Sequence, residues 1–248
     1  MLKVRRFGFL SVVLPLLLLT PIVPAAAVTP LLPDLRMDRL RDLSLDTTTW
    51  PGHRLLRFTA AIVNVGVGRF ELRARRRAPD TRFTVWQRIY TTAGGSSDVA
   101  TPATLVYQGD GHDHWHVKDL ESYALARLDQ GRTVGREAKR GFCFFDNEPF
   151  PRLAGRRGYT EAMACAPRKP RALEVLMGLS RGWEDVYQAK LVGQYIDVTH
   201  AAPGRYRLTA TADPANWFRE SNDANNVTWV TIWLQKTQVR ILSSGPHP

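Results

Sequence analysis

Residues 111–117, with the sequence Gly-His-Asp-His-Trp-His-Val, constrain the fold more than any other stretch, because they carry three of the six histidines at alternate positions. In an extended strand, residues i, i+2 and i+4 share one face, with about 6.6 Å between successive members. On a helix, His112 and His116 would share a face and His114 would point away. Three imidazoles on one strand face suit a copper or zinc ion. The motif therefore predicts an extended metal-binding segment, and the alternative is three solvent-exposed histidines on a polar strand.

The N-terminus has the pattern of a secretory signal. Lys3, Arg5 and Arg6 precede a largely apolar stretch over residues 10–23, and three alanines end at Ala27 as a small-residue cleavage site. No later apolar run reaches the length of a membrane span. We therefore predict a signal peptide over residues 1–27 and a single catalytic-type domain over residues 28–248. The mature protein should be secreted and extracellular, without a stable membrane anchor after signal cleavage.

The distribution of basic residues argues against a nucleic-acid partner. The net charge is +11, and it falls to about +8 when the three basic residues of the signal are removed. A basic surface favours anionic partners. The basic residues are scattered, however, apart from a run at 73–77, and no nucleic-acid-binding motif accompanies them. We predict no nucleic-acid partner.

The two cysteines, Cys143 and Cys165, belong to a chain expected to be exported. In an oxidising compartment the default expectation for such a pair is an intramolecular disulfide.

Hydrophobic periodicity predicts a mainly β protein. Leu56, Phe58, Ala60 and Ile62 alternate with other residues as in a half-buried strand. No repeat and no helix of convincing length is visible, so we expect a two-sheet β-sandwich core with long irregular loops and little helix. Extended segments are predicted at 55–65, 83–90, 105–128, 194–199, 205–212 and 227–234, and irregular loops at 93–98 and 149–182.

Several motifs occur together in one order. They are residues 111–116, Lys139-Arg140-Gly141-Phe142-Cys143, Gly178-Leu179-Ser180-Arg181-Gly182 with Asp185 and Tyr187, Tyr195-Ile196-Asp197-Val198-Thr199, and Pro203-Gly204-Arg205-Tyr206. In this arrangement the chain resembles the catalytic domain of the lysyl oxidase family, which are copper-dependent amine oxidases. The resemblance covers roughly residues 34–234.

The resemblance implies a cofactor assembly. Copper(II) would be held by His112, His114 and His116, and a lysyl tyrosylquinone would form from Lys139 and Tyr187 as the catalytic residues. The implied reaction is oxidative deamination of primary amines to aldehydes with release of hydrogen peroxide and ammonia. Lysine side chains of extracellular proteins or peptides are candidate substrates, since the implied class is that of the protein-lysine 6-oxidases.

The sequence does not single out the base that removes the substrate proton. Asp113, Asp119 and Asp185 are candidates by position, and the alternative for each is a structural or solvated carboxylate.

A second cation site is implied by the dense oxygen-bearing side chains of residues 220–226, which suit Ca²⁺. The resemblance implies calcium ligands at Asp34, the Leu35 carbonyl, Glu220, Asn222, Asn225 and Asn226. The family commonly has Asp where this chain has Asn222. The alternative is an Asx-rich turn that its own side chains cap.

The resemblance also implies that a Cys143–Cys165 disulfide holds the lysine-bearing strand to the irregular loop. Animal members of the family carry further disulfides that this chain lacks. They also have Cys and Trp residues around the histidine motif, where this chain has Gly109-Asp110-Gly111.

Two other functions stay open from the sequence. One is a non-catalytic metal-binding module, and the other is a calcium-stabilised adhesion module of the cell envelope.

Overall fold

The computed structural model describes residues 27–108, 113–136 and 141–248. The predicted signal peptide, apart from Ala27, lies outside the described residues, and so do His112, Lys139 and the Gly109-Asp110-Gly111 segment. Within the described ranges there is no helix long and apolar enough to cross a membrane.

Nineteen antiparallel strands build the described part of the chain. In chain order they are β1 (Pro30–Leu31), β2 (Leu35–Met37), β3 (Arg41–Asp46), β4 (Leu55–Asn64), β5 (Phe70–Arg75), β6 (Thr84–Thr91), β7 (Ser96–Thr101), β8 (Leu105–Gln108), β9 (His114–Lys118), β10 (Glu121–Arg127), β11 (Thr133–Arg136), β12 (Gly141–Phe142), β13 (Glu148–Pro149), β14 (Glu174–Leu179), β15 (Trp183–Tyr187), β16 (Tyr195–Asp197), β17 (Gly204–Ala212), β18 (Val227–Leu234) and β19 (Val239–Ser244).

The mainly β class is confirmed, and hydrogen bonding divides the strands into four sheets. Their orders are β1-β6-β5-β14 with β7 on β6, β11-β10-β17-β18-β19, β12-β9-β8, and β13-β15-β4-β16 with β2 and β3 on β4. The buried side chains of these sheets form one contiguous hydrophobic cluster. Aromatic edge-to-face contacts join the sheets, as between Phe58 and Tyr123, whose ring centroids are 5.0 Å apart.

Strand β4 lies at the centre of the last sheet. It pairs with β2, β3, β15 and β16, and nine of its ten residues are buried. The alternation in its sequence predicted one buried face. Both faces are buried because small or branched side chains at Ala61 and Val63 let neighbouring elements pack on the second face as well.

The histidine motif is extended, as predicted. His114 and His116 lie in β9, which runs between β8 and β12. In register, His116 faces Val106 of β8, and Phe142 of β12 faces Val117. After a turn the chain enters β10, which belongs to a different sheet. The histidine strand therefore connects the three-stranded sheet to the sheet that contains β10.

Two predicted loops contain strands. Residues 149–182 include β14, which pairs with β5 along its whole length, and residues 93–98 run into β7, which pairs with β6. In β14 the period-two apolar residues Val175, Met177 and Leu179 are buried. The sequence-based prediction missed this strand because its apolar alternation is short and the surrounding segment is rich in Arg, Gly and Pro.

The predicted disulfide between Cys143 and Cys165 is present, with a sequence separation of 22. Both cysteines are buried. The Cys165 carbonyl also accepts a hydrogen bond from the Trp115 amide, at 2.9 Å. The bridge therefore joins the end of β12 to a segment that touches the histidine strand.

We expect the Cys143→Ala/Cys165→Ala double variant to lose about 3 kcal/mol of unfolding free energy, because the bridge limits the unfolded chain. Urea unfolding of both proteins under oxidising conditions measures the difference. The same measurement with reductant should destabilise the wild type and leave the double variant unchanged. Equal stability of the two oxidised proteins would contradict the expectation.

Candidate functional site

The imidazoles of His114 and His116 converge. Their Nε2 atoms are 2.7 Å apart, and the rings are nearly perpendicular with centroids 4.5 Å apart. His116 is fully buried and His114 is partly buried. Metal–imidazole bonds of about 2.0–2.1 Å allow one ion to be shared by two nitrogens at this separation as adjacent ligands. This pair therefore fits two adjacent positions of a tetragonal metal ion.

The described residues contain no group of three or more His, Cys, Asp or Glu side chains that could hold a metal. The third predicted copper ligand, His112, lies outside them. The structure thus brings two of the three predicted ligands together.

Gly141 packs directly on His116. A Cβ on Gly141 would lie 2.7 Å from the Cβ of His116, which is closer than real Cβ contacts allow. Glycine is therefore required where β12 meets β9. Lys139 stands two positions before Gly141 in the sequence and lies outside the described residues.

Tyr187 is fixed by the residue that follows β12. Its hydroxyl donates to the Cys143 carbonyl at 2.9 Å and accepts from the Cys143 amide at 2.8 Å. Its ring meets Phe142 edge-on, with centroids 5.1 Å apart. Tyr187 is 5% exposed, at the end of β15. One short segment, residues 141–143, therefore contacts both His116 and Tyr187.

The surroundings of Tyr187 are acidic. Burial raises the pKa of Tyr187 well above its usual value, and the charges of Asp185 and Glu121 raise this pKa further. Asp185 precedes Tyr187 by two residues in β15, so both side chains point to the same face. Of the three predicted base candidates, Asp185 lies against Tyr187, whereas Asp113 and Asp119 are exposed at the two ends of β9.

Glu121 and Tyr123 belong to this environment and were missed as site residues in the sequence. Both side chains are buried, and the Tyr123 hydroxyl donates a short hydrogen bond to Glu121. Burial raises the pKa of Tyr123 well above its usual value, and the charge of Glu121 adds to this. The available signal was a carboxylate on the apolar face that Leu125 and Tyr123 share in β10.

The predicted calcium ligands also come together in part. Asn225 donates to Asp34 at 3.0 Å, and Asn226 donates to Glu220 at 3.0 Å. The Leu35 amide donates a short hydrogen bond to the second Glu220 oxygen. The side-chain oxygens of Asn225 and Asn226 are buried and have no hydrogen-bond partner among the described residues. Such oxygens are the donors that Ca²⁺ uses.

Two details qualify the calcium ligand set. Burial raises the pKa of Glu220 to about 8, the charges of Asp213 and Asp223 add to this, and the hydrogen bonds from Leu35 and Asn226 oppose it. Asn222 is exposed, and its side-chain oxygen accepts the Ala224 amide at 3.0 Å. At Asn222, then, the structure has the Asx turn that the sequence offered as the alternative.

Together the features describe a β domain with a histidine strand beside a buried tyrosine. The lysyl oxidase family model matches residues 87–244. This match contains the histidine motif, Lys139, Tyr187 and the loop at 220–226. The chain belongs to the lysyl oxidase family.

Individual relatives agree with this assignment. Pig protein-lysine 6-oxidase is 32% identical over 117 residues, which are 47% of this chain and 42% of the relative. The human protein of the same name is also 32% identical, over 47% of this chain and 25% of its own length. Zebrafish lysyl oxidase homolog 3A is 27% identical over 197 residues, or 76% of this chain and 21% of the relative. The chain thus spans less than half the length of these relatives.

The buried carboxylate of Glu184 allows the electrostatics around β15 to be tested. It is buried on the opposite face of this strand from Asp185, and its Oε2 atom has no hydrogen-bond partner among the described residues. Burial raises its pKa to about 7, the charges of Asp38 and Glu148 add to this, and Arg41 opposes it.

The native state therefore binds the Glu184 proton more tightly than the unfolded state does. The destabilisation of the folded state by ionised Glu184 is absent below pH 4.5, grows as the pH rises, and is complete above about pH 7. We expect Glu184→Gln to be more stable than wild type at pH 8 by up to about 3 kcal/mol, with a much smaller difference near pH 4.5. Urea unfolding across this range measures it. Exposed Glu161→Gln is the control, and a pH-independent difference for Glu184→Gln would contradict the expectation.

Proposed function

We propose that this protein is a secreted amine oxidase that depends on copper(II) and lysyl tyrosylquinone. It would convert primary amines to aldehydes with release of hydrogen peroxide and ammonia. The observation that carries the proposal is the contact of residues 141–143 with both His116 and Tyr187. The relatives are named for protein-lysine 6-oxidation. By analogy, lysine side chains of extracellular proteins or peptides are the proposed substrates.

Each proposed site residue has a separable task. His114 and His116, with His112, would hold copper, and copper with the Lys139–Tyr187 quinone would supply the oxidising power. Tyr187 is held in one orientation because its hydroxyl both donates and accepts a hydrogen bond at Cys143.

The environment of Tyr187 contributes as well. Burial of its ring against Phe142 keeps water from the ring. Asp185, on the same face of β15, is placed to hold a proton beside this ring.

The domain assignment extends this proposal. We propose a signal peptide over residues 1–27 from its sequence pattern and one domain over residues 28–248, and the single contiguous core cluster of the described residues supports the single domain. The disulfide between Cys143 and Cys165 is typical of an exported protein. Extracellular localisation and the absence of a nucleic-acid partner are part of the same proposal.

Copper loading of the mature chain tests the oxidase. We expect a visible absorption band and a phenylhydrazine adduct on a crosslinked Lys139–Tyr187 peptide. Lys139→Ala and Tyr187→Phe should both lose the adduct, because each removes one partner of the crosslink. Lys118→Ala, next to Gly141 in register, and Tyr206→Phe, a buried tyrosine of β17, are matched controls that should keep it.

Copper binding without an adduct in the wild type would contradict the proposal and favour the non-catalytic metal-binding module. An adduct that persists in Tyr187→Phe would contradict the assignment of that residue.

We also propose a calcium site that joins the N-terminal β2 region to the loop before β18. The proposed ligands are Asp34, the Leu35 carbonyl, Glu220, Asn222, Asn225 and Asn226. Support comes from the contacts of Asp34 and Glu220 with the two asparagines and from the unpartnered asparagine oxygens. A cation there would offset the buried charge of Glu220.

We expect added Ca²⁺ to raise the melting temperature of the chelator-treated protein. At 100 times the dissociation constant, the gain in unfolding free energy is about 2.7 kcal/mol. Glu220→Gln should lose this response because it removes a buried carboxylate ligand. Asp223→Asn, an exposed carboxylate of the same loop, is the matched control. An unchanged response in Glu220→Gln would contradict the site.

A further inference from the structure

Four arginines line a cavity at the turn end of the β5–β6 hairpin. The cavity has a volume of about 400 Å³, and Arg75, Arg76, Arg77 and Arg82 line it together with Thr84 and Trp86. No acidic side chain of the described residues is among those that line it. Because like charges gathered in one place repel each other, this cavity attracts an anionic group.

Few of these arginine charges are neutralised by the protein. Arg77 and Arg82 are exposed and take part in no ion pair within the described part of the chain. Arg76 donates to three backbone carbonyls at 2.6 to 3.0 Å, which are neutral acceptors. Arg75 has an acidic partner, Glu174, at 3.2 Å, but their side chains are 63% and 69% exposed. An ion pair as exposed as this one contributes little, so the cavity keeps a positive potential.

Arg76 is held in place at the edge of this cavity. Its guanidinium group lies over the rings of Phe83 and Trp115, at 4.5 and 4.7 Å from their centroids. Burial lowers the pKa of Arg76, the charge of Asp80 opposes this, and the charge of Arg171 adds to it. An anion bound in the cavity would therefore stabilise a charge that the fold already fixes in position.

A partly exposed tryptophan forms one wall of the cavity. Trp86 lies on the outer face of β6, since its neighbours Val85 and Gln87 are buried on the inner face. In register it is opposite Arg73 of β5 and Ala100 of β7. Ala100 is exposed and too small to cover the indole ring. The indole N–H has no hydrogen-bond partner among the described residues. This wall therefore offers an apolar ring and a donor beside the arginines.

The combination of arginines and an aromatic ring selects the kind of anion. A guanidinium group matches a carboxylate with two parallel hydrogen bonds. The flat indole ring can pack against the apolar C–H face of a sugar ring. An acidic polysaccharide carries both groups in one repeating unit, whereas an acidic polypeptide carries the carboxylates alone. A nucleic acid is a poorer match for a protein whose disulfide is typical of export.

We propose that the cavity between Trp86 and the arginines at positions 75–77 and 82 binds a carboxylated polysaccharide. Arg77 and Arg82 would bind carboxylates, and Trp86 would pack against a sugar ring. The inference goes beyond the proposed oxidase, because such binding needs neither copper nor the quinone. It would hold an exported enzyme within an acidic polymer outside the cell.

Calorimetric titration of the copper-free mature chain with oligogalacturonate tests the arginines. We expect binding to the wild type, and binding weaker by about tenfold or more in Arg77→Ala/Arg82→Ala. Both arginines are exposed, so the variant should keep the wild-type melting temperature. Arg205→Ala/Arg240→Ala removes the same net charge at exposed positions of β17 and β19 and should keep wild-type affinity. Absence of binding to the wild type, or equal losses in the two double variants, would overturn the proposal.

The same titration with other ligands and with Trp86 variants tests the sugar. Trp86→Leu should weaken oligogalacturonate binding about fivefold, whereas Trp86→Phe, which keeps a ring, should retain most of the affinity. Poly-glutamate of equal charge should bind more weakly than oligogalacturonate and should not respond to Trp86→Leu. Equal or tighter binding of poly-glutamate, or of an oligothymidylate, would assign the cavity to another class of polymer and overturn the proposal. Because the protein is free of copper, the outcome is independent of whether the quinone forms.

Discussion

The pair of hydrogen bonds between the Tyr187 hydroxyl and the Cys143 backbone holds the site together. Through its backbone, Cys143 fixes the tyrosine of β15, and through its sulfur it is bonded to Cys165. The Cys165 carbonyl in turn accepts the Trp115 amide of the histidine strand. These bonds connect Tyr187 to β9 through protein groups alone. Bonds of the protein itself therefore hold Tyr187 and the histidine strand in place relative to each other.

The surface of the protein is basic, whereas its interior contains acidic side chains. The surface carries the excess of Lys and Arg, whereas several carboxylates are buried in separate places. Their locations give them different roles. Glu121 and Asp185 border Tyr187, Glu220 lies in the loop before β18, and Glu184 faces away from Tyr187 across β15. A buried carboxylate raises the cost of folding unless a cation compensates it. The loop before β18, where Glu220 lies beside the unpartnered side-chain oxygens of Asn225 and Asn226, is consequently a place where a cation would stabilise the fold.

Local patterns predicted much of this protein, and long-range pairing accounts for what they missed. The period-two histidines determined an extended β9, and the alternation at Leu56–Ile62 determined β4, because both depend only on neighbouring residues. β14 was missed because its pairing with β5 spans about a hundred residues. For the same reason the sequence could not choose Asp185 over Asp113 and Asp119, since only the fold brings β15 to residues 141–143. Glu121 was missed because its one signal, a carboxylate on an apolar strand face, does not show which residues the fold places beside it. The roles of His112 and Lys139 stay predictions.

The proposed calcium loop bears on the oxidase site through two strands. Glu220 accepts the Leu35 amide at the start of β2, and the Pro33 carbonyl accepts the Ser221 amide at 2.8 Å. β2 pairs with the same end of β4 to which β15 is paired, and β15 ends at Tyr187. A cation that stabilised the contact between the loop and β2 would therefore also stabilise the part of β4 that pairs with β15, the strand that ends at Tyr187. Calcium would act on the structure that positions the tyrosine, whereas copper would act at the histidines, so the two ions would affect activity by separable routes.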